Sequence, residues 1–343
     1  MVDKRQLLGM TLEELKGVAS EVGLPAYAAK QMADWIYKKK ITRISEMTNI
    51  AVAKRALLED SFEIGAYPPS EYQKSKDGTI KYLYAAGPGR FVESVYIPTD
   101  DRATLCVSSQ VGCKMNCLFC MTGKQGFTAN LTANQILNQI QSLPENDSLT
   151  NIVFMGMGEP LLNYEQVLRA IERITAQDGL AMSPDRITVS TAGIPEKIRQ
   201  LADDGVRFNL ALSLHAAKET TRTFLMPVNK AYPLSEIAGS LKYFVEKTGT
   251  RPTFEYLLLK DINDSLEDAK ALALYCRQFP IKINIIEYNN VEGSGFHHSP
   301  DKNRDAFIRF LEGCNMVVNV RRSKGKDIDA ACGQLAGKQE SNL

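Results

Sequence analysis

Residues 113–120 read Cys113-Lys114-Met115-Asn116-Cys117-Leu118-Phe119-Cys120, three cysteines at x3 and x2 spacing within one short loop. A cubane iron–sulfur cluster is usually held by four thiolates. A loop that supplies three of them holds three irons and leaves the fourth open to a substrate or cofactor. The common alternatives fit less well. Structural zinc takes four protein ligands, often from two separated Cys-x2-Cys pairs. Here there is one such pair, and the histidines are only His215, His297 and His298. Disulfide frameworks belong to small secreted chains. This chain has 343 residues and seven cysteines, and Met1-Val2-Asp3-Lys4-Arg5 leads into an amphipathic helix and not an apolar signal core. The thiols are therefore expected in a reducing, cytoplasmic setting.

The cysteine loop follows a strand candidate at 104–109, and from there strands and helices alternate. Further strand candidates are 151–157, 186–192, 208–214, 253–259, 282–289 and 316–322; helix candidates are 132–143, 163–176, 195–204, 234–248, 265–278 and 301–314. Apolar strands separated by helices predict a parallel sheet covered by helices. The count of units predicts an α/β fold, a partial (β/α)6 barrel related to the (β/α)8 barrel, with chemistry at the C-terminal strand ends. Upstream, Lys81-Tyr82-Leu83-Tyr84 and Phe91-Val92-Glu93-Ser94-Val95-Tyr96-Ile97 flank Gly87-Pro88-Gly89 and read as a hairpin. Residues 1–65 read as helical, with Trp35 as core. The expected domains are 1–65 (a small helical accessory domain), 66–98 (a connecting β-hairpin) and 99–343 (the barrel with a C-terminal loop). No stretch is long and apolar enough to span a membrane. Net charge is +1, so nucleic-acid affinity would rest on local runs such as Lys38-Lys39-Lys40 and Arg321-Arg322-Ser323-Lys324-Gly325-Lys326. Taken alone, the first run reads as a solvated surface.

Distinctive residues gather at the predicted strand ends. Met155-Gly156-Met157-Gly158-Glu159-Pro160 follows the second strand, Ser190 and Thr191 end the third, Ser213-Leu214-His215 the fourth and Asn289 the sixth; Cys332 lies beyond the last. The glycines allow a ligand close to the backbone, and Glu159 can accept hydrogen bonds from an ammonium. A lone Gly-x-Gly is more often a plain turn, and a lone histidine a satisfied core residue; here both share a rim with three clustered thiols. Cys276 and Cys314, on amphipathic helices, read as small core hydrophobes.

The triad resembles that of radical S-adenosylmethionine (SAM) enzymes. There the open iron takes the amino and carboxylate groups of SAM, and one electron cleaves it to a 5′-deoxyadenosyl radical. Nearly the whole chain, helical N-terminus included, resembles the RlmN/Cfr family of radical SAM RNA adenine methyltransferases. The resemblance rests on Arg102-Ala103-Thr104-Leu105-Cys106-Val107-Ser108-Ser109-Gln110-Val111-Gly112-Cys113, Phe154-Met155-Gly156-Met157-Gly158-Glu159-Pro160-Leu161, Leu212-Ser213-Leu214-His215, Leu225-Met226-Pro227 and Asp327-Ile328-Asp329-Ala330-Ala331-Cys332-Gly333-Gln334-Leu335. The resemblance implies a [4Fe–4S] cluster on Cys113, Cys117 and Cys120, and two SAM per turnover. It implies Gly158, Glu159, Ser190, Ser213, Leu214, His215 and Asn289 as SAM contacts. Cys332 would carry the methyl group, Cys106 would resolve the RNA–protein adduct by forming a disulfide, and Glu93 would take the ring proton. The implied partners are 23S ribosomal RNA, transfer RNA and an electron donor such as flavodoxin or ferredoxin; the implied state is a monomer. Reaching a base carbon in folded RNA requires extruding the nucleotide.

Pro160 and the following Leu161-Leu162-Asn163 resemble the branch that methylates adenine carbon 2; the carbon-8, antibiotic-resistance branch tends to have Ala at position 160. Lys326 departs from the carbon-2 branch, which often carries an acidic residue there. Two readings from other classes are a zinc-dependent RNA-binding module and a thiol–disulfide oxidoreductase using Cys106 and Cys332. Four irons per chain in anaerobically purified protein would separate the cluster reading from both.

Overall fold

The computed structural model describes residues 4–291 and 293–337. The chain opens with β1 (Arg5–Gln6), α1 (Leu12–Glu21), α2 (Ala28–Ala33), α3 (Val52–Ser61) and β2 (Phe62–Glu63), which pairs in parallel with β1. A capping box starts α1: the Glu14 N–H donates to Thr11 Oγ1 at 3.2 Å and the Thr11 N–H to Glu14 Oε2 at 2.7 Å. A π-helical turn, Asp34–Lys38, extends α2. Trp35 there is only half-buried: its indole N–H reaches Asn49 Oδ1 at 2.5 Å and Lys39 Nζ lies 3.4 Å from its ring centroid. A ring with a polar N–H settles where that donor finds a partner, at the edge of the core. The lysine run is engaged as well, since Lys38 pairs with Asp34 at 2.7 Å and Lys40 with Asp147 at 2.5 Å.

The main sheet takes β3 (Glu71–Lys74), β4 (Ile80–Ala85), β5 (Phe91–Pro98) and β6 (Ala103–Cys106). A small separate hairpin, β7 (Gln110–Gly112) with β8 (Phe127–Asn130), brackets the cysteine loop and its short helix α4 (Met121–Lys124). Then follow α5 (Ala133–Gln141), β9 (Asn151–Phe154), α6 (Tyr164–Thr175), β10 (Ile187–Thr191), α7 (Pro195–Asp203), β11 (Asn209–Ser213), α8 (Glu219–Leu225), α9 (Leu234–Thr248), β12 (Thr253–Leu258), α10 (Leu266–Cys276), β13 (Lys282–Glu287), α11 (Asp301–Gly313) and β14 (Val317–Arg321). The sheet order is β14-β13-β12-β11-β10-β9-β6-β5-β4-β3. From β6 through β14 neighbours are parallel; β5, β4 and β3 are added antiparallel. This is the partial barrel expected from the sequence, and the hairpin β4–β5 widens its sheet on the β6 side.

The first barrel strand stops at Cys106, short of the expected 109. Residue 108 has left the ladder: its N–H donates to Gln139 Oε1 at 2.9 Å and its hydroxyl to the Glu93 carbonyl at 2.6 Å. Buried amides also fasten the N-terminal helices to the barrel. Asn134 Nδ2 donates to the Leu8 and Gly65 carbonyls, each at 3.1 Å, and Gln141 Nε2 to the Ile36 carbonyl at 2.6 Å.

The two faces of the sheet differ. Leu105, Ile152, Val189, Leu212, Phe254 and Ile283 are fully buried within one hydrophobic cluster that includes the covering helices. On the other face the register aligns Ser213 with Glu255, Glu255 with Asn284, and Asn284 with Asn319. Asn284 Nδ2 donates to Glu255 Oε1 at 2.8 Å, and Asn319 Nδ2 to Asn284 Oδ1 at 3.3 Å. A polar row on the inner face suits a barrel that holds a polar ligand.

Candidate active site

The cysteine loop is fixed by backbone geometry. Gly112 has φ +74°, and a Cβ there would lie 1.8 Å from the Gly126 carbonyl oxygen, so no side chain fits. Cys113 and Cys117 are buried, Cys120 partly so, in an apolar shell that includes Met115, Phe119, Ala192, Leu225 and Met226. The three thiols lie within electrostatic range of one another. Burial pushes the Cys113 thiol up to about 12 and the Cys117 thiol well above its ordinary value. Among the described residues no three His, Cys, Asp or Glu converge as they would around a single metal ion. Three soft sulfur donors, spread over one loop in an apolar shell, fit an iron–sulfur cluster.

The strand ends converge beside this loop. Ser190 and Ser213, on adjacent strands, bring their hydroxyls within 3.2 Å. His215 is held at φ +56°. Its Nδ1 accepts from the Leu257 N–H at 3.1 Å, and its ring meets Phe119 edge-on at 4.8 Å. With Nδ1 accepting, Nε2 carries the hydrogen of the neutral ring. Burial, reinforced by the Arg222 charge, pushes His215 down to about 3. Asn289 is buried, and its Oδ1 has no hydrogen-bond partner. An orphaned buried acceptor at a barrel rim fits the ammonium of SAM.

Glu159 is turned differently from the sequence expectation. Its carboxylate points into the protein, where Oε1 accepts from the Leu161 N–H at 3.1 Å and Oε2 from the Ala192 N–H at 2.7 Å. It couples the loops after β9 and β10. Burial raises its pKa against the pull of these hydrogen bonds. Gly158 sits at φ +101° with Gln110 beneath it, and Gln110 Oε1 accepts the Glu159 N–H at 2.8 Å. The Glu159 carboxylate also lies within electrostatic range of Cys113 and Cys117, so this segment borders the cysteine loop.

Cys106 and Cys332 stand 226 residues apart in sequence and come together at the open side of the barrel. Each is a free thiol, as are the other five. Burial and the neighbouring Cys332 push the Cys106 thiol up to about 12. Burial pushes Cys332 up to about 11, opposed by the Arg321 charge. Cys332 itself is exposed to solvent. The loop that carries it is bonded to the cysteine loop: Met121 N–H donates to the Gly333 carbonyl at 2.7 Å and Thr122 Oγ1 to the Leu335 carbonyl at 2.7 Å. Glu93, 4% exposed, accepts at Oε2 from the N–H groups of Ala336 (2.7 Å) and Gly337 (3.1 Å), and its Oε1 lies 3.4 Å from Lys81 Nζ. The segment around Cys332 thus joins Glu93, Cys106 and the three-cysteine loop.

Sequence reasoning missed Glu255 and Arg222 here, and gave Arg321 only as part of a basic run. Arg321 lies 3.4 Å from Glu255 and 3.6 Å from Met155 Sδ, and its charge acts on both Cys106 and Cys332. Glu255 itself had a signal, a carboxylate inside the apolar run Phe254-Glu255-Tyr256-Leu257. Arg222, fully buried, donates to the carbonyls of Leu214 (3.1 Å) and Ala192 (2.5 Å) and so ties two strand ends together. Nothing in its polar helix marked it. Cys276 is buried and Cys314 half-buried against the core, as their helical positions suggested.

Residues 107–273 match the radical SAM superfamily, and residues 5–64 match the ribosomal RNA large subunit methyltransferase N-terminal domain. The "Probable dual-specificity RNA methyltransferase RlmN" of Parabacteroides distasonis is 66% identical over 98% of this chain and 98% of its own length. The chain belongs to the RlmN family. The protein of the same description from Bacteroides thetaiotaomicron is 48% identical over 100% of this chain and 99% of its own. The crystal structure of a radical SAM methyltransferase from Sphaerobacter thermophilus superposes with a TM-score of 0.94 at 36% identity, covering 97% of this chain and 100% of the other. As an RlmN-family member the chain is a radical SAM methyltransferase that uses an iron–sulfur cluster and SAM. Among the described residues no helix is long and apolar enough to cross a membrane.

Proposed function

We propose that this enzyme methylates carbon 2 of an adenosine in 23S ribosomal RNA and in the transfer-RNA anticodon loop, using Cys332 as the methyl carrier. The observation that carries the reading is the meeting of two free thiols, Cys106 and Cys332, around Arg321 and beside a three-cysteine loop. The dual-specificity RNA methyltransferases that the chain resembles, and the match of residues 5–64, support RNA as substrate. Pro160 and the resemblance support carbon 2.

Cys113, Cys117 and Cys120 would hold a [4Fe–4S] cluster, which together with SAM, two per turnover, supplies the methyl group and the one-electron chemistry. The other roles belong to side chains of this chain. Asn289 Oδ1, the His215 Nε2–H and the Ser190 and Ser213 hydroxyls, with Leu214 and the Gly158-Glu159 backbone, bind and orient SAM. Cys332 loses its proton and takes the methyl by displacement, with the Arg321 guanidinium favouring the thiolate. Its sulfur then delivers the carbon to the adenine ring. Glu93 accepts the ring proton through Oε1, because Oε2 already holds two backbone N–H groups. The Cys106 thiolate attacks the Cys332 sulfur, so that a Cys106–Cys332 disulfide forms as the sulfur–carbon bond to RNA breaks; the freed carbon takes a proton, and a cellular dithiol reduces the disulfide before the next turnover. Residues 1–65 form the RNA-contacting accessory unit, 66–98 the connecting hairpin and 99–343 the barrel, with 1–3, 292 and 338–343 outside the described residues. The enzyme acts as a cytoplasmic monomer supplied by a small electron carrier such as flavodoxin or ferredoxin; the seven free thiols support a reducing setting.

The two thiols should fail differently when removed. Cys332→Ala should accept no methyl and give no product. Cys106→Ala should still be methylated at Cys332 and then trap RNA covalently, seen as a nuclease-sensitive shift on a denaturing gel. Normal turnover by Cys106→Ala, or trapping by Cys332→Ala, would reverse the assignment. Position-resolved mass spectrometry of product nucleosides should give 2-methyladenosine; 8-methyladenosine would overturn the choice of carbon.

A further inference from the structure

The segment leading to Cys332 is held by the turn between β3 and β4. The contact is reciprocal. Asp77 Oδ2 accepts the N–H of Gly325 at 3.0 Å. Asp327 Oδ1 accepts the hydroxyl of Ser75 at 2.5 Å, and its Oδ2 accepts the N–H of Lys76 at 3.2 Å. Each aspartate thus holds the other segment, about 250 residues away in sequence. The second oxygen of Asp77 takes the Thr79 N–H at 3.0 Å, which shapes its own turn. Gly325 sits at φ +65°, and a Cβ there would lie 2.9 Å from the Thr79 side chain, so the two segments are in close contact. The sheet itself leaves a gap here: β14 is an edge of the main sheet with no strand beyond it, and the turn at 75–79 spans to the loop that follows.

We propose that Asp77 and Asp327 form a clasp across the open side of the barrel, and that they are positioning residues that set where the Cys332 sulfur stands for methyl transfer. The inference rests on the reading of Cys332 as methyl carrier. Neither aspartate touches the three-cysteine loop, and Gly333 and Leu335 keep their own bonds to Met121 and Thr122 when the clasp is cut, so the clasp governs methyl delivery and leaves SAM cleavage in place. The electrostatics agree. Burial raises the Asp77 carboxyl, but the N–H groups of Gly325 and Thr79 outweigh it and hold it down at about 2; hydrogen bonds from Ser75 and Lys76 likewise hold Asp327 low. Both stay ionised at neutral pH, as acceptors of this kind must.

The test uses the reconstituted full-length enzyme with Asp77→Ala, Asp327→Ala and the Asn versions of both. Iron content and deoxyadenosine formation should stay within about twofold of wild type. The ratio of methylated adenosine to deoxyadenosine should fall by about tenfold to a hundredfold, the scale expected when a reacting group is displaced by about 1 Å. Asn keeps one acceptor, so it should lie between Ala and wild type. Independently of turnover, hydrogen exchange on the full chain without SAM should show faster exchange across 325–337 and unchanged exchange in α9. If the Ala variants lose iron, the Asn variants decide: lower coupling at equal iron supports the clasp. A wild-type Cys332 that never carries methyl overturns the carrier reading and this inference with it. A methylated wild type, with variants that match it in coupling and in exchange, overturns the clasp alone.

Discussion

Replacing Glu159 by Ala separates two roles that its place in the Gly-Glu-Pro run leaves mixed. The carboxylate accepts two backbone N–H groups, from Leu161 and Ala192, and is itself only 3% exposed. Alanine leaves both buried donors without their acceptor. Each unsatisfied buried donor costs about 1–3 kcal/mol, or about 2–6 kcal/mol for the pair. Losing the carboxylate also removes its own desolvation penalty, visible as its raised pKa, so a net loss of about 2–4 kcal/mol is expected. Glu159→Gln keeps one acceptor and should lose about half as much. The assay is urea unfolding followed by far-UV circular dichroism without SAM, where the midpoint should drop in both variants with little change in slope. SAM titration of the folded variants should show weakened binding only as a consequence of loosened loops. If Glu159→Ala loses less than about 1 kcal/mol while SAM binding falls tenfold, the carboxylate belongs to the ligand and the inward geometry misleads.

Two further outcomes are expected. Single Ala replacements of Cys113, Cys117 or Cys120 should each abolish deoxyadenosine formation and lower bound iron and sulfide; normal cluster content and SAM cleavage in all three would remove the cluster assignment. Asn289→Ala should weaken SAM binding by about 10- to 100-fold, the worth of one charge-assisted hydrogen bond to its partnerless Oδ1; calorimetric titration showing less than a twofold change would mean that this oxygen does not meet SAM.

The barrel was legible because its strands are continuous apolar runs and its helices carry one apolar face, so period and length agree at each step. Asn151–Phe154, Ile187–Thr191 and Thr253–Leu258 fall inside the expected ranges. Elements without that contrast escaped notice. Edge strand β3, Glu-Tyr-Gln-Lys, has almost nothing apolar, and β7 and β8 are too short to show alternation. The cysteine spacing carried the metal chemistry because three thiols on one loop are local in sequence. Long-range pairings leave no such trace. The inward turn of Glu159, the reach of Arg321 toward two thiols and the exchange between Asp77 and Asp327 exist only once the strands lie in order. Trp35 illustrates the remaining gap, since apolar bulk argued for the core while one indole N–H kept it at the margin.

The segment that carries Cys332 is bonded to parts of the chain made long before it: the turn at 75–79, Glu93, and Met121 and Thr122 of α4. During synthesis those partners emerge first and wait. The last contact to form closes a loop of about 250 residues, a slow step whose entropy must be met by contacts already in place. A chain cut before residue 325 would lack Gly325, Asp327, Gly333 and Leu335, and with them the partners that hold the turn at 75–79 and the helix behind the three cysteines. Order beside the earliest barrel strand thus waits on a segment made more than 200 residues later.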